Sequence, residues 1–213
     1  FLFGITVPAT YVVEMYGDSF EDQSFELGAD VIINGNGHKI TSTATRVIRV
    51  TASNVEVTLN DVNMVSRTVM TWPNDIRGIS IDPSLANVTL TLNNCSIDFT
   101  DASACDWAYA VNMPASVKNL NLVIDKCVLE GAIALQCWGD NNKITVTNSK
   151  LICNYTTNAM YTSYCVALQG EGTNNTENNR LNISGCVFSY SGVDNYNSAI
   201  IAVGNHKHNG ANT

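Results

Sequence analysis

The sequence predicts an all-β solenoid, a parallel β-helix of about six coils. Three observations carry this: a recurrent eleven-residue window, alternating apolar residues inside it, and no stretch with a sustained helical period. Five windows align without a gap: NVEVTLNDVNM from Asn54, NVTLTLNNCSI from Asn87, NLNLVIDKCVL from Asn119, NNKITVTNSKL from Asn141 and NNRLNISGCVF from Asn178. Each opens with Asn. The fourth and sixth residues are apolar, as in Leu90 and Leu92 or Leu181 and Ile183, the period-2 pattern of a strand with one buried face. After two polar or small turn residues, the ninth and eleventh positions turn inward again. The ninth reads Val62, Cys95, Cys127, Ser149, Cys186; the eleventh reads Met64, Ile97, Leu129, Leu151, Phe188.

DVIINGNGHKI, from Asp30, reads as the first coil in the same frame, with Ile33 and Gly35 inward, Asn36 at the turn and Ile40 closing. A phosphate-cradling loop is the competing reading of these glycines; it fails because no Lys-Ser/Thr pair and no helix follow. A further short apolar strand follows each window: RVIRV (46–50), RGISI (77–81), YAVNM (109–113), AIALQ (132–136), CVALQ (165–169) and IIAV (200–203). Equivalent strands of consecutive coils are expected to pair in parallel, about 4.8 Å apart. Residues 1–29, with YVVEMY and the acidic DSFEDQSFE, are expected to cap the helix; 30–205 form it, and 206–213 are a tail or the start of a further coil. An open solenoid edge at the C-terminal side predicts either further coils or end-to-end self-association with another copy.

Composition narrows the function classes. With 213 residues, 45% hydrophobic and 14% charged, the chain can build one continuous core. A net charge of -8, from 11 Lys+Arg against 19 Asp+Glu, opposes a row of phosphates, so nucleic acid is not an expected partner. No apolar run approaches the roughly 20 residues of a membrane span. None of the seven cysteines forms a C-x-x-C pair, and three share the ninth window position, which predicts a ladder of buried free thiols rather than a zinc or redox site.

The VIINGNGHKI opening and the recurrent LNNCSI, TNSKLI and ISGCVF segments resemble the right-handed parallel β-helices of the pectin-lyase-like superfamily, over roughly residues 28–205. That superfamily includes pectate lyases, polygalacturonases, phage tailspikes and bacterial surface proteins without known catalysis. The resemblance therefore implies a secreted or cell-surface β-helix, and fold does not choose among the activities. The chain lacks the Asn-Thr-Asp, paired Asp-Asp, Gly-His-Gly and Arg-Ile-Lys motifs of a polygalacturonase, and the clustered Asp with an Arg-rich strand of a lyase.

Where the coils differ in length, the excess falls at one point of the repeat: 65–76, 98–108, 152–164 and 189–198. Insertions at one point map to one face, where binding is often found. In or beside these loops lie Trp72, Trp107, Tyr109, Tyr155, Tyr161, Tyr164, Tyr190 and Tyr196, with Asp75, Asp194, Asn154, Asn158 and Asn195 among them. Flat aromatic faces next to amides and carboxylates suit a sugar ring; the same side chains would also serve to pack long loops against the coil wall.

Glycoside hydrolysis needs two carboxylates across the scissile bond, and lyase chemistry needs a base facing a carboxylate-held calcium. The catalytic candidates are Asp98, Asp101 and Asp106, with Arg77 as the basic group and Arg180 beside it in rank. The same three carboxylates are the candidate calcium ligands, and calcium is the one cofactor the sequence suggests; a solvated Asp/Ser/Thr turn is the plainer reading of that run. His206 and His208 sit two apart in a surface tail, and a column of Thr58, Thr91 and Thr145, resembling an ice-binding array, is interrupted by Val123 and Asn182. The expected function is an extracellular or cell-surface module that binds a polysaccharide or cell-surface glycan, adhesin-like, without the usual catalytic residues. The alternative is a polysaccharide lyase or glycoside hydrolase with an atypical site.

Overall fold

The computed structural model describes residues 10–68, 75–99, 108–114, 116–154, 163–171, 177–190 and 198–206. They form three parallel sheets of seven strands, wound as a right-handed parallel β-helix. The first sheet stacks β1 (Tyr11–Glu14), β4 (Val31–Asn34), β7 (Glu56–Asn60), β10 (Thr89–Asn93), β13 (Asn121–Asp125), β16 (Lys143–Thr147) and β19 (Arg180–Ser184). The second stacks β2 (Ser19–Glu21), β5 (Lys39–Ser42), β8 (Asn63–Ser66), β11 (Ser96–Asp98), β14 (Val128–Gly131), β17 (Lys150–Cys153) and β20 (Val187–Tyr190). The third stacks β3 (Phe25–Leu27), β6 (Arg46–Val50), β9 (Ile76–Ile81), β12 (Ala108–Met113), β15 (Ile133–Cys137), β18 (Ser163–Glu171) and β21 (Ser198–His206).

The eleven-residue window spans the first two sheets. Its fourth-position residues pair in register, Val57 with Leu90, Leu90 with Leu122, Leu122 with Ile144 and Ile144 with Leu181. From Val57 to Ile144 this column has no solvent exposure. The outward column between the fourth and sixth positions runs Thr58, Thr91, Val123, Thr145, Asn182, so the threonine array is broken where the sequence breaks it.

The window's opening Asn has a steric cause. Asn54, Asn87, Asn119, Asn141 and Asn178 all have φ between 55° and 59°, a left-handed conformation that Asn adopts at lower cost than other side-chain-bearing residues. Their amides also link the coils, Asn87 Nδ2 donating to Asn54 Oδ1 at 2.9 Å and Asn119 Nδ2 to Asn87 Oδ1 at 3.0 Å. A second left-handed turn lies at the eighth position, where Asp61, Asn94, Lys126, Asn148 and Gly185 have φ from 51° to 63°.

The structure departs from the sequence reading at the N-terminal side. Residues 11–27, expected as a cap, form β1 to β3 and pair with β4 to β6, so the helix has seven rungs rather than six. The coil from Asp30 is also framed differently: Val31 pairs with Val57 and Ile33 with Leu59, so Gly35 is not an inward strand position. Its turn holds two additional residues, and Asn36 and Gly37 are both left-handed there. Gly35 instead lies against the backbone of Asp61 and Val62, where a Cβ would overlap the Asp61 carbonyl.

The ninth-position ladder forms as the spacing predicts. The Cys95 backbone N–H donates to Cys127 Sγ at 3.4 Å, and the Cys127 N–H donates to Ser149 Oγ at 3.0 Å. The side chains donate in turn to carbonyls, Cys95 to Leu59 at 3.4 Å, Cys127 to Leu92 at 3.4 Å and Ser149 to Thr147 at 2.7 Å. Each small polar side chain thus satisfies a backbone N–H that the coil's corner leaves out of the sheets. The neighbouring Cys95 thiol and burial push the Cys127 thiol above its ordinary value, and burial pushes Cys137 up to about 11, so these two sulfurs are not poised thiolates.

Outside the helix wall, a polar column runs through the seventh window position. Asn60 Nδ2 donates to Asn34 Oδ1 at 2.9 Å, and Asn93 Nδ2 to Asn60 Oδ1 at 2.9 Å. At the N-terminal edge Asn34 and Asn36 donate to the Glu14 carboxylate at 2.6 and 3.1 Å; further along, Thr147 and Asn148 donate to Asp125 at 2.6 and 2.9 Å.

Two stability predictions follow from these turns. Lys126 holds φ 55° without the local hydrogen-bonding of Asn, and its ammonium lies 3.9 Å from Asp125 on an exposed surface where a pair contributes little. Lys126→Asn should stabilise the fold by about 1 kcal/mol, read from the urea midpoint at unchanged slope. Hydrogen bonds hold Asp125 below the usual carboxylate range, from Thr147 first and Asn148 second, and hold Glu14 below it from Asn34 and Asn36. Their contribution is fully present above the unfolded value of about 4 and is lost as pH falls through the lower folded values. Asp125→Asn should therefore flatten the fall of stability below about pH 4, measured by urea unfolding across pH 2 to 6.

Candidate functional site

The connection from the second sheet to the third varies in length. It spans 22–24 after β2, 43–45 after β5 and residue 132 alone after β14, but 67–75, 99–107, 154–162 and 191–197 after β8, β11, β17 and β20. All seven leave and re-enter at the same corner, so the long connections are anchored together along one edge of the helix. Trp72, Asp101, Asp106, Trp107, Tyr155, Asn158, Tyr161, Asp194, Asn195, Tyr196 and His208 lie outside the described residues.

Three of the candidate ligand-stacking aromatics, Tyr109, Tyr164 and Tyr190, fall among the described residues. Tyr109 and Tyr164 are 2% and 4% exposed and pack with Ile133 and Ala167 in a second apolar cluster on the outer side of the third sheet. They belong to one register column, Tyr109 beside Ile133 and Ile133 beside Tyr164. Tyr190 is partly buried against the main core. The Tyr109 and Tyr164 rings are thus buried by packing, and Tyr190 packs with part of its ring exposed.

The same column continues toward the N-terminal side as Arg77 and Arg46. Asp75, at the exit of the first long connection, ties both. Arg46 Nη2 donates to Asp75 Oδ1 at 2.6 Å, Arg46 Nη1 to the Asp75 carbonyl at 2.9 Å, and Arg77 Nε and Nη2 to Asp75 Oδ2, the former at 2.9 Å. The Arg77 guanidinium also stacks over the Tyr109 ring, 5.8 Å from its centroid. Burial first, and Arg77 second, pull Arg46 below its ordinary value, yet a guanidinium stays charged. Clamped by the Asp75 carboxylate and stacked on the Tyr109 ring, Arg77 pins the exit of the connection to the sheet.

Asp98 ends β11 beside Val65 and is partly buried. Of the three carboxylates proposed to hold calcium it alone is described, Asp101 and Asp106 lying outside the described residues. Among the described residues no group of three or more His, Cys, Asp or Glu gathers for a metal. Arg180 opens β19 as an exposed side chain on the outer face of the first sheet, away from that corner.

The sequence reading missed a recess at the N-terminal end of the corner. Asp22, Gln23, Ser24 and Glu26 from the first rung, with Thr43, Ala44 and Thr45 from the second, line an open groove of about 690 Å³. The signal was available: DQS and TAT are short polar connections at the point where later coils carry long ones. Glu26 is not free, because Arg49 Nη1 donates to its Oε1 at 2.7 Å while Arg49 Nε and Nη2 clasp Asp82, each at 2.7 Å. Thr45 is coupled to the Arg46 clamp through its carbonyl, which accepts from Arg46 Nη1 at 2.9 Å. The groove therefore adjoins the anchored root of the first long connection.

Among the described residues no helix is long and apolar enough to cross a membrane. Compared with known protein families, curated proteins and solved structures, the chain matches none of them at a significant level.

If Asp75 is the clamp for its connection, removing its carboxylate leaves two partly buried guanidinium groups uncompensated. Asp75→Ala should cost on the order of 2 kcal/mol, measured by urea unfolding. Double substitution with Arg46→Ala and Arg77→Ala should recover part of that loss, whereas additivity of the three changes would remove the clamp from consideration.

Proposed function

We propose that this chain is a carbohydrate-binding β-helix of the pectin-lyase-like type, secreted or displayed at a cell surface, that takes a stretch of polysaccharide along the corner between its second and third sheets. The observation supporting this most is the recess of about 690 Å³ lined by threonine and serine hydroxyls, one amide and two carboxylates, beside the corner where four long connections are anchored. Its volume falls within the roughly 300–1,000 Å³ of small-ligand sites. Hydroxyls and carboxylates that donate and accept along a shallow groove match a polyol better than an apolar ligand. The net charge of -8 disfavours phosphate polymers in the same place. The neighbouring connections carry Trp72, Trp107, Tyr155, Tyr161 and Tyr196, which supply the ring-stacking half of sugar recognition in this reading.

The alternative, a glycoside hydrolase or polysaccharide lyase, has one observation in its favour: Asp22 and Glu26 line the same groove. Against it, Glu26 is already engaged by Arg49 in an ion pair at 2.7 Å, which leaves Asp22 as the one groove carboxylate without that commitment.

The test is retention on a panel of immobilised acidic and neutral polysaccharides, with and without calcium, with reducing ends and unsaturated products followed in the same samples. Retention without turnover is the expected result, weakened about 10-fold by Thr43→Val with Asp22→Asn, the loss of one or two hydrogen bonds to the ligand. Trp107→Ala should weaken it by a similar factor. Turnover abolished by Asp22→Asn would make the protein an enzyme, and no retention on any glycan would end the carbohydrate reading.

A further inference from the structure

The outer edges of the three sheets are unlike the rest of the molecule. Among the described residues, the strands of the first rung, β1 to β3, and of the last, β19 to β21, each pair with a neighbouring rung on one side only. The inward columns that are sealed in the middle of the helix are open at both edges. Val13 is 45% exposed and Phe25 36% at one edge; Ile201 is 42% and Val203 71% exposed at the other. An unpaired strand edge beside exposed apolar side chains is a template for another rung.

We infer that a second copy of this chain is that rung, its first rung docking on the last rung of its neighbour so that all three sheets continue across the contact. The register makes the pairing specific. Following each column from edge to edge, Val13 belongs with Ile183, Phe25 with Ile201 and Leu27 with Val203, so stacking one copy on the next sets apolar on apolar in each column. The polar column closes as well. It starts at the Glu14 carboxylate and ends at Ser184, so the Ser184 hydroxyl of one copy comes to the Glu14 carboxylate of the next, a donor meeting an acceptor.

Charge agrees with this orientation. Residues 11–27 hold Glu14, Asp18, Glu21, Asp22 and Glu26 and no Lys or Arg. The last two rungs expose Lys143, Lys150 and Arg180, with Glu171 and Glu177 as their acidic residues among those described. An acidic edge meeting a more basic one favours head-to-tail over head-to-head or tail-to-tail contacts, in which like charges face each other. Such a contact is heterologous and does not close on itself, so it builds a row of copies rather than a symmetric dimer.

Sedimentation velocity of the 213-residue chain over a hundredfold concentration range tests this, with Val13→Lys blocking one edge and Val203→Lys the other. The wild type should grow in mass with concentration beyond the dimer. Each variant alone should remain monomeric, and an equimolar mixture should form a dimer and stop there, because only one productive pair of edges survives. A wild type that stays monomeric throughout would overturn the inference, as would either variant dimerising alone. Should either variant lose the wild-type circular dichroism spectrum, Phe25→Lys and Ile201→Lys block the same two edges. This assembly is independent of the carbohydrate reading: the blocked monomers keep the groove of Asp22 and Thr43, so glycan retention and self-association fail separately.

Discussion

Rung-on-rung register is the constraint on which the rest of this structure depends. Every strand pairs only with its equivalents in the adjacent rungs, and all of these pairings are parallel. A residue therefore spends its neighbours on copies of its own position. A column such as Val57, Leu90, Leu122 and Ile144 is apolar throughout because one polar member would face apolar groups above and below. Corners obey the same rule: the left-handed turns recur at equivalent places, and Asn supplies both the backbone conformation and a side chain that reaches the next rung.

The register also explains why the cysteines are structural. At the ninth position Cys127 and Ser149 each accept the backbone N–H of the equivalent residue one rung back and donate to a carbonyl, Cys127 to Leu92 and Ser149 to Thr147. Cysteine and serine are small enough for the interior and do both, and Cys95 and Cys186 donate to preceding-rung carbonyls in the same way. Stacking equivalents has a second consequence at the edges, where the same columns stop without a partner and leave apolar surface facing outward.

Variation between coils gathers where the register relaxes. The corner between the second and third sheets accepts connections of very different length because nothing in the ladder passes through it; only the strands on either side must keep their frame. Asp75 shows how one long connection is returned to that frame, by holding Arg46 and Arg77, residues paired in adjacent rungs. Where the connections are short the corner is recessed, and the groove of Asp22, Thr43 and Thr45 is the result.

The sequence by itself determined the solenoid, because a periodic structure writes its period into every coil. The Asn-opened window gives the turn, the alternating apolar positions give the wall, and the repeated Cys gives the ladder. It misread the N-terminal side and the first coil, since residues 11–27 lack the window's signature and the two additional turn residues after Asn34 shift the frame. Only the tertiary structure decided what individual side chains at the corner do. Tyr109 and Tyr164 look alike in sequence whether they stack on a sugar or on Ile133, and Arg77 looks like a free base until Asp75 is placed against it. Burial and pairing across 20 to 37 residues of chain depend on how coils of unequal length stack, and local sequence carries no record of that distance.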